Sequence, residues 1–206
     1  RFLKSGVNPF KIFRNKVCLD AGCGSGKFSI ALKKLGARKV IGVDLGEQGL
    51  RFAKKKLNEK KIKGIFYRKA SILNLPFQNK SFDLVWSNGV IHHTSNYEKC
   101  IREFSRVLKK DGTLFLYVSG RCGLYEILQD TLRKSLVNFP KDLFISYLRS
   151  LKINSGRIYW ITDSCFAPYN WKSEKQVIKL LKKYNFYQIK KLERGLKIDH
   201  IEQISA

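Results

Sequence analysis

No methionine occurs anywhere in this 206-residue chain, and its first residue is Arg1. A natural start is therefore expected upstream, and the abrupt stop at Ala206 raises the same expectation of a continuation beyond it. The lack of a secretory signal then excludes little. Also missing is any apolar run near the roughly 18 residues that a bilayer span requires, so no membrane span is expected. The C-x-x-C pair is a third absence. The five cysteines, Cys18, Cys23, Cys100, Cys122 and Cys165, are odd in number and scattered. That argues against a disulfide framework and a zinc site, and points to a reducing, cytoplasmic compartment. With no internal repeat and no low-complexity linker, residues 1–206 read as one domain.

Acidic residues are scarce: 16 Asp and Glu face 41 Lys and Arg, a formal charge of +25. Two explanations stay open. A basic surface suits an anionic partner such as RNA or a membrane surface. Lysine-rich codon usage would give the same number, and runs such as Lys54-Lys55-Lys56 at a helix end are ordinarily solvated. What is plentiful is apolar: 44% of residues are hydrophobic and 13% aromatic, enough for a normal core.

The apolar pattern alternates between short runs and helical periods. Strands are expected at Lys16 to Asp20, Lys39 to Asp44, Ile65 to Tyr67, Phe82 to Trp86 and Thr113 to Val118. Helices are expected from about Lys27 to Leu35, through Leu50, Ala53 and Leu57, and from about Tyr97 to Leu108, where Lys109-Lys110-Asp111-Gly112 reads as a turn. This order implies an α/β fold with parallel strands and helices on both faces. Residues from about 121 to 164 switch to helical spacing and read as an inserted segment covering the strand ends. Ser173 and Gln176 form a capping box, and Phe186 to Leu192 with Lys197 to Ile204 read as a final strand pair. Ligands of such sheets bind at the carboxyl ends of the strands, near the switch point. Those ends hold Asp20 to Gly26, Asp44, Ser71, Ser87-Asn88-Gly89 and Ser119-Gly120.

The sharpest local signal is Asp20-Ala21-Gly22-Cys23-Gly24-Ser25-Gly26, between a strand and a helix. Glycines admit a ligand to the backbone, and the helix start offers unpaired N–H groups. A nucleoside-triphosphate loop is excluded, because Ala21 stands where its first glycine belongs and Phe28 replaces the magnesium-binding hydroxyl. A dinucleotide loop is excluded because Lys27 stands where its third glycine belongs. Asp44, ending the second strand, is placed to accept from a ribose diol.

With its leading acid, the D-x-G-x-G-x-G run resembles motif I of the class I S-adenosylmethionine methyltransferases. Val43-Asp44-Leu45, Leu75-Pro76-Phe77 with Ser81-Phe82-Asp83-Leu84-Val85, Val90-Ile91-His92-His93, and Arg106-Val107-Leu108-Lys109-Lys110-Asp111-Gly112-Thr113 extend the likeness to the broad methyltransferase-11 group over about residues 16–119. Tyr169 to Glu174 with Phe186 adds a weaker likeness. The resemblance implies a Rossmann-like methyltransferase fold with a mostly parallel seven-stranded sheet, a cofactor-binding core at about 16–119, a helical lid at about 121–164 and a C-terminal helix and strand pair at about 173–206. It implies S-adenosylmethionine held by Asp20, Gly22, Cys23, Gly24, Gly26, Asp44, Leu45, Ser71, Ile72, Ser87, Asn88 and Gly89. In that arrangement Asp20 lies near the cofactor's amino group, Asp44 on the ribose hydroxyls and Leu45 against the adenine. One departure stands out: the family's third motif carries an acid where this chain has Ser71. Losing that acceptor weakens adenine recognition by up to about 1 kcal/mol.

Methyl transfer from a sulfonium is an in-line displacement with an activated leaving group, so alignment supplies much of the rate, roughly 7–11 kcal/mol. A base is needed only for a protonated acceptor. His93 is the candidate; against it stands the plainer role of two imidazoles packing and bonding within their turn. No metal is expected, since His92 and His93 lack further ligands at suitable spacing. Trp86, Tyr125, Tyr159, Trp160 and Tyr169 are candidates for an aromatic acceptor pocket, and core packing is the alternative for each. His200 reads as a surface or packing residue.

Ser87-Asn88-Gly89-Val90 lacks the Pro-Pro-aromatic run that clamps planar nitrogens, and no cysteine is placed as a pyrimidine C5 nucleophile. The expected acceptor is therefore a small molecule, lipid or sugar. Likeness to tRNA wobble-uridine methyltransferases at Val90 to Ser95 and Leu116 to Val118 keeps an RNA acceptor as the alternative. Ser71 keeps a non-catalytic cofactor-binding protein as a third.

Overall fold

The apolar run Val17–Ala21 forms strand β1, with Cys18, Leu19, Asp20 and Ala21 all buried. A computed structural model of the chain describes residue 6, residues 8–120 and residues 124–192. Strands β2 (Lys39–Asp44), β3 (Ile65–Lys69), β4 (Phe82–Asn88) and β5 (Leu108–Tyr117) flank β1 in the order β3-β2-β1-β4-β5, and every neighbouring pair is parallel. The chain leaves β1 towards β2 and β3, then returns to β4 on the opposite side of β1. The loops after β1 and β4 diverge there, opening a crevice at their carboxyl ends.

Helices cover both faces because the strands bury both. Leu19, Ala21, Val43 and Val85 pack in one layer with Ile101, Phe104 and Val107 of α4 (Tyr97–Val107) and Val177 and Leu181 of α8 (Glu174–Lys183). Cys18, Val40, Leu84 and Trp86 pack in the other with Phe13 of α1 (Pro9–Phe13), Leu32 of α2 (Lys27–Lys34) and Leu57 of α3 (Glu47–Glu59). Side-chain caps start α4 and α8, and the second is the expected box. Asn96 accepts from Lys99 N at 2.9 Å to start α4, and Ser173 and Gln176 complete the capping box of α8.

Five strands stand among the described residues where the sequence reading expects seven. Phe186 to Leu192 is irregular. Phe186 N donates to Leu181 O at 3.0 Å, finishing the helix instead of entering a ladder, and Tyr187 and Ile189 are exposed. Lys197 to Ile204, including His200, lies outside the described residues, as does Cys122. The expected turn at Lys109 to Gly112 is instead an irregularity inside β5. Leu108 pairs with Phe82, the register then shifts, and Asp111 takes a φ of 59°. Asp83 ties this region together, accepting from Val17 N at 2.8 Å and from Lys109 Nζ at 2.9 Å.

The Leu75-Pro76-Phe77 turn before β4 is clamped from α4. Glu103 accepts from Leu75 N at 2.7 Å and from Arg106 Nε and Nη2 at 2.8 Å. Arg106 also donates to Phe77 O at 2.7 Å and Leu75 O at 2.9 Å. The Arg106 guanidinium holds the Glu103 carboxyl below the usual range. Glu103→Ala strands a guanidinium and a backbone N–H together, so it should cost about 3 kcal/mol. The check is a lower urea midpoint at unchanged slope.

Three helices follow β5 within about residues 121–164: α5 (Leu124–Ser135), α6 (Lys141–Ser150) and α7 (Ser155–Phe166). Helix α7 buries Ile158, Thr162 and Cys165 at helical spacing and packs against both α5 and α6. No helix among the described residues is long and apolar enough to cross a membrane.

Candidate active site

The turn after β1 is closed by backbone bonds that leave little room for side chains. Gly22 N and Cys23 N both donate to Val43 O, at 2.8 and 2.9 Å, and Gly26 N to Cys23 O at 2.8 Å. Gly22 sits at a φ of 83°, and a Cβ there would run into the Val90 side chain. Gly22→Ala should therefore destabilise the fold by about 2 kcal/mol, from strain plus overpacking. Thermal melts of that variant and of Gly22→Ala with Val90→Ala should show only the packing part recovered. At Gly24, by contrast, an added Cβ would meet nothing within 4 Å. The turn is packed at its root and open at its tip.

Asp44 holds that tip. Its Oδ2 accepts from Gly24 N and its Oδ1 from Gly46 N, each at 2.8 Å. Each carboxylate oxygen keeps a further lone pair for a ligand. Beside it lies a cavity of about 320 Å³ lined by Gly22, Asp44, Leu45, Ala70, Ser71, Ile72, Leu73, Val90, His93, Thr94 and Ser95. The volume is at the small end of ligand sites, about 300–1,000 Å³. Six residues singled out from sequence thus converge: Gly22, Asp44, Leu45, Ser71, Ile72 and His93. Ser71 Oγ accepts from Leu73 N at 3.2 Å, which fixes the loop but leaves the hydroxyl its own hydrogen to donate. Val90, Thr94 and Ser95 belong to the Val90 to Ser95 stretch noted for its family likeness, whereas Ala70 and Leu73 were not singled out; each only lines a wall, and no residue type marks that.

The other expected cofactor residues stand back from the cavity wall. Asp20 is 1% exposed and accepts from Ser29 Oγ at 2.5 Å. Burial pushes its carboxyl up to about 7; the Ser29 bonds pull the other way, and the charge of Asp44 adds to the rise. Cys23 is buried with its thiol pushed up by burial, so no thiolate nucleophile forms there. Ser87 is fully buried at the end of β4 and its Oγ has no partner among the described residues. Gly89 takes a φ of 77° and donates to Tyr117 O at 2.9 Å. Gly26 and Asn88 flank the crevice, in the turn and at the end of β4.

The two histidines divide their roles. His92 is buried, and Ser119 N donates to its Nδ1 at 3.3 Å, so the ring hydrogen sits on Nε2. Burial first, then the neighbouring His93 and Arg133, push its pKa down to about 3. His93 lines the cavity. Its Nδ1 is 3.0 Å from Pro168 O, and a carbonyl only accepts, so Nδ1 carries the hydrogen. That leaves the Nε2 lone pair exposed to chemistry, 3.5 Å from Asp163 Oδ2 on α7. Tyr169 meets the His93 ring edge-on, 4.3 Å between centroids. Among the aromatic candidates, Trp86 is core, stacked on Phe115 at 3.7 Å, while Tyr159 and Trp160 are exposed on α7. The Tyr125 side chain lies outside the described residues. Asp163 went unnoticed in the sequence, although it is the sole acid of α7.

The methyltransferase-domain family matches residues 19–116. Uncharacterized protein MJ0638 of Methanocaldococcus jannaschii is 31% identical over 171 residues, covering 82% of this chain and 68% of that protein. The uncharacterized methyltransferase YcgJ of Bacillus subtilis is 33% identical over 98 residues, 48% of this chain and 38% of YcgJ. The chain belongs to the class I S-adenosylmethionine-dependent methyltransferases. The YcgJ crystal structure shares the fold, with a TM-score of 0.59 at 22% identity, over 83% of this chain and 62% of that one. A tRNA U34 carboxymethyltransferase of Campylobacter hominis is 31% identical to this chain over 111 residues, 53% of the chain and 38% of the tRNA enzyme. The chain thus spans under two-fifths of the length of YcgJ and of the tRNA enzyme.

Proposed function

We propose that this methyltransferase binds S-adenosylmethionine between the glycine turn and Asp44, and methylates a small-molecule, lipid or sugar acceptor beneath α5, α6 and α7. The observation that carries the reading is the cavity itself, in which a carboxylate with spare lone pairs stands between an open glycine tip and two apolar walls, Leu45 and Ile72. Those residues fit the cofactor: Asp44 would accept from the ribose diol, Leu45 and Ile72 would flank the adenine, and Ser71 would meet its edge. Asp20, buried behind Gly22, would lend a negative charge to the cofactor's cationic end. Once bound, the cofactor supplies a methyl group on a positively charged sulfur. The lid helices keep water out and hold the acceptor in line, the alignment worth roughly 7–11 kcal/mol.

His93 serves as the base where the acceptor arrives protonated. Pro168 fixes its tautomer, its Nε2 takes the proton, and Asp163 steadies the imidazolium. His93→Ala should lower turnover by about a hundredfold and leave S-adenosylhomocysteine affinity unchanged. Undiminished turnover would remove the base role.

Calorimetry with S-adenosylhomocysteine tests the cofactor site, and absence of heat would defeat it. A labelled-methyl screen over metabolite and tRNA pools then finds the acceptor. An RNA acceptor is the second reading, supported by the tRNA U34 relative and the charge of +25. A ubiquinone biosynthesis O-methyltransferase of Pelagibacter ubique, 32% identical over 123 residues, supports the first. RNA binding should weaken linearly in log–log plots against salt. Salt-indifferent binding, or none, would dismiss RNA.

A further inference from the structure

We infer that Arg133, with Tyr169 and Trp171, forms a subsite for an anionic group, a carboxylate or a phosphate, carried by the methyl acceptor. The inference rests on the cofactor reading above and adds to it the chemistry of the second substrate. Arg133 lies on α5. Its guanidinium carbon sits 3.7 Å over the Tyr169 ring and 5.5 Å from the Trp171 ring, and those two rings stack on each other at 4.6 Å. Its Nη2 donates to Gln129, one helical turn away, at a long 3.3 Å. Its Nε and Nη1 are buried and have no hydrogen-bond partner among the described residues.

Stacking satisfies the faces of a guanidinium and leaves its edge untouched, because the N–H groups point outward in its plane. A buried edge with idle donors is costly unless an acceptor enters that plane. The neighbouring acids are already committed. Asp130 pairs with Lys134 at 2.8 Å, and Asp163 faces His93 at 3.5 Å. Among the described residues no carboxylate comes within ion-pair distance of Arg133. The aromatic ring that carries the guanidinium also touches His93. An anionic group on Arg133 would therefore direct the rest of its molecule past Tyr169, towards His93 and the cavity. Planar charged forks suit carboxylates and phosphates above other anions.

The test loads the protein with S-adenosylhomocysteine and titrates it separately with benzoate, inorganic phosphate and the neutral isostere benzamide. The Arg133 Nε–Hε resonance is followed by NMR in the wild type, and binding of the same three compounds to each variant, which lacks that resonance, by calorimetry. Benzoate or phosphate should move it saturably, at an affinity at least about tenfold above that of benzamide; whichever anion saturates identifies the source. Arg133→Gln should abolish the preference while S-adenosylhomocysteine heat stays unchanged, and Arg133→Lys should keep part of it. Saturation by neither anion, or an undiminished preference in Arg133→Gln, overturns the subsite. Should Arg133→Gln fail to fold, the wild-type titration and Arg133→Lys still decide. If S-adenosylhomocysteine does not bind at all, the cofactor reading falls, and the same titration of the unloaded protein judges the subsite by itself.

Discussion

Replacing Asp44 by alanine should weaken S-adenosylhomocysteine binding about a thousandfold, through two charge-assisted hydrogen bonds worth roughly 1.5–3 kcal/mol each. The same carboxylate anchors Gly24 N and Gly46 N, so the variant also loosens the turn that the ligand must meet. Asp44→Asn should fare little better. Both backbone partners are donors, and an amide presents one acceptor and one NH₂, so one N–H would face another N–H. Calorimetry with both variants is the check. A loss smaller than about threefold in Asp44→Ala would place the nucleoside elsewhere.

The second large effect is a pH dependence. The Asp20 carboxyl is raised from 3.8 to about 7, first by burial. Between those values the folded chain holds a proton that the unfolded chain has released, so stability contributed by Asp20 falls as pH rises. The full shift corresponds to roughly 4 kcal/mol as an upper bound. His92 acts oppositely. Its pKa falls from 6.5 to about 3, so the unfolded chain binds a proton that the folded chain refuses, and stability rises with pH across that window. The two slopes oppose each other between about pH 4 and 6.5. Asp20→Asn keeps an acceptor for Ser29 and carries no charge. Relative to the wild type it should gain up to roughly 4 kcal/mol between pH 4 and 8, and its own stability should rise with pH up to about 6.5, the His92 slope laid bare. Urea melts across that range decide; parallel curves for the two proteins would show Asp20 to be ordinary. Should the cofactor's cation approach Asp20, the heat of S-adenosylhomocysteine binding at pH 7 would also vary with the ionisation heat of the buffer in the wild type alone.

Much of the fold was legible because it follows local rules. Alternation of apolar runs and helical periods located β1 to β4, the second half of β5, and α2, α3, α4 and α8 within a few residues. Asn96 was not singled out as a cap, whereas the Ser173–Gln176 box was, and both act at helix starts. The strand pair at the C-terminal end was misjudged at Phe186 to Leu192, where apolar content suggested a ladder. Strand formation requires a partner edge, and a single segment's pattern does not reveal whether one is present. Helix α1 was missed, being five residues long and dependent on Phe13 packing edge-on against Trp86, 6.0 Å away.

The site divides along the same line. The amino-acid order alone set the glycine turn, because a Cβ would be strained at the φ values of Gly22 and Gly26, 83° and 75°, and it set Asp44 at a strand end by the period of the strand. It also identified the pair of histidines and singled out His93 as the candidate base, without showing where either ring lies. Tertiary packing decided the rest: that Asp20 is enclosed, that His92 is buried while His93 borders the cavity, and that Asp163, Tyr169 and Arg133 reach the same place from α7, a loop and α5. Burial and charge depend on which distant segments pack together, and sequence spacing carries no record of that.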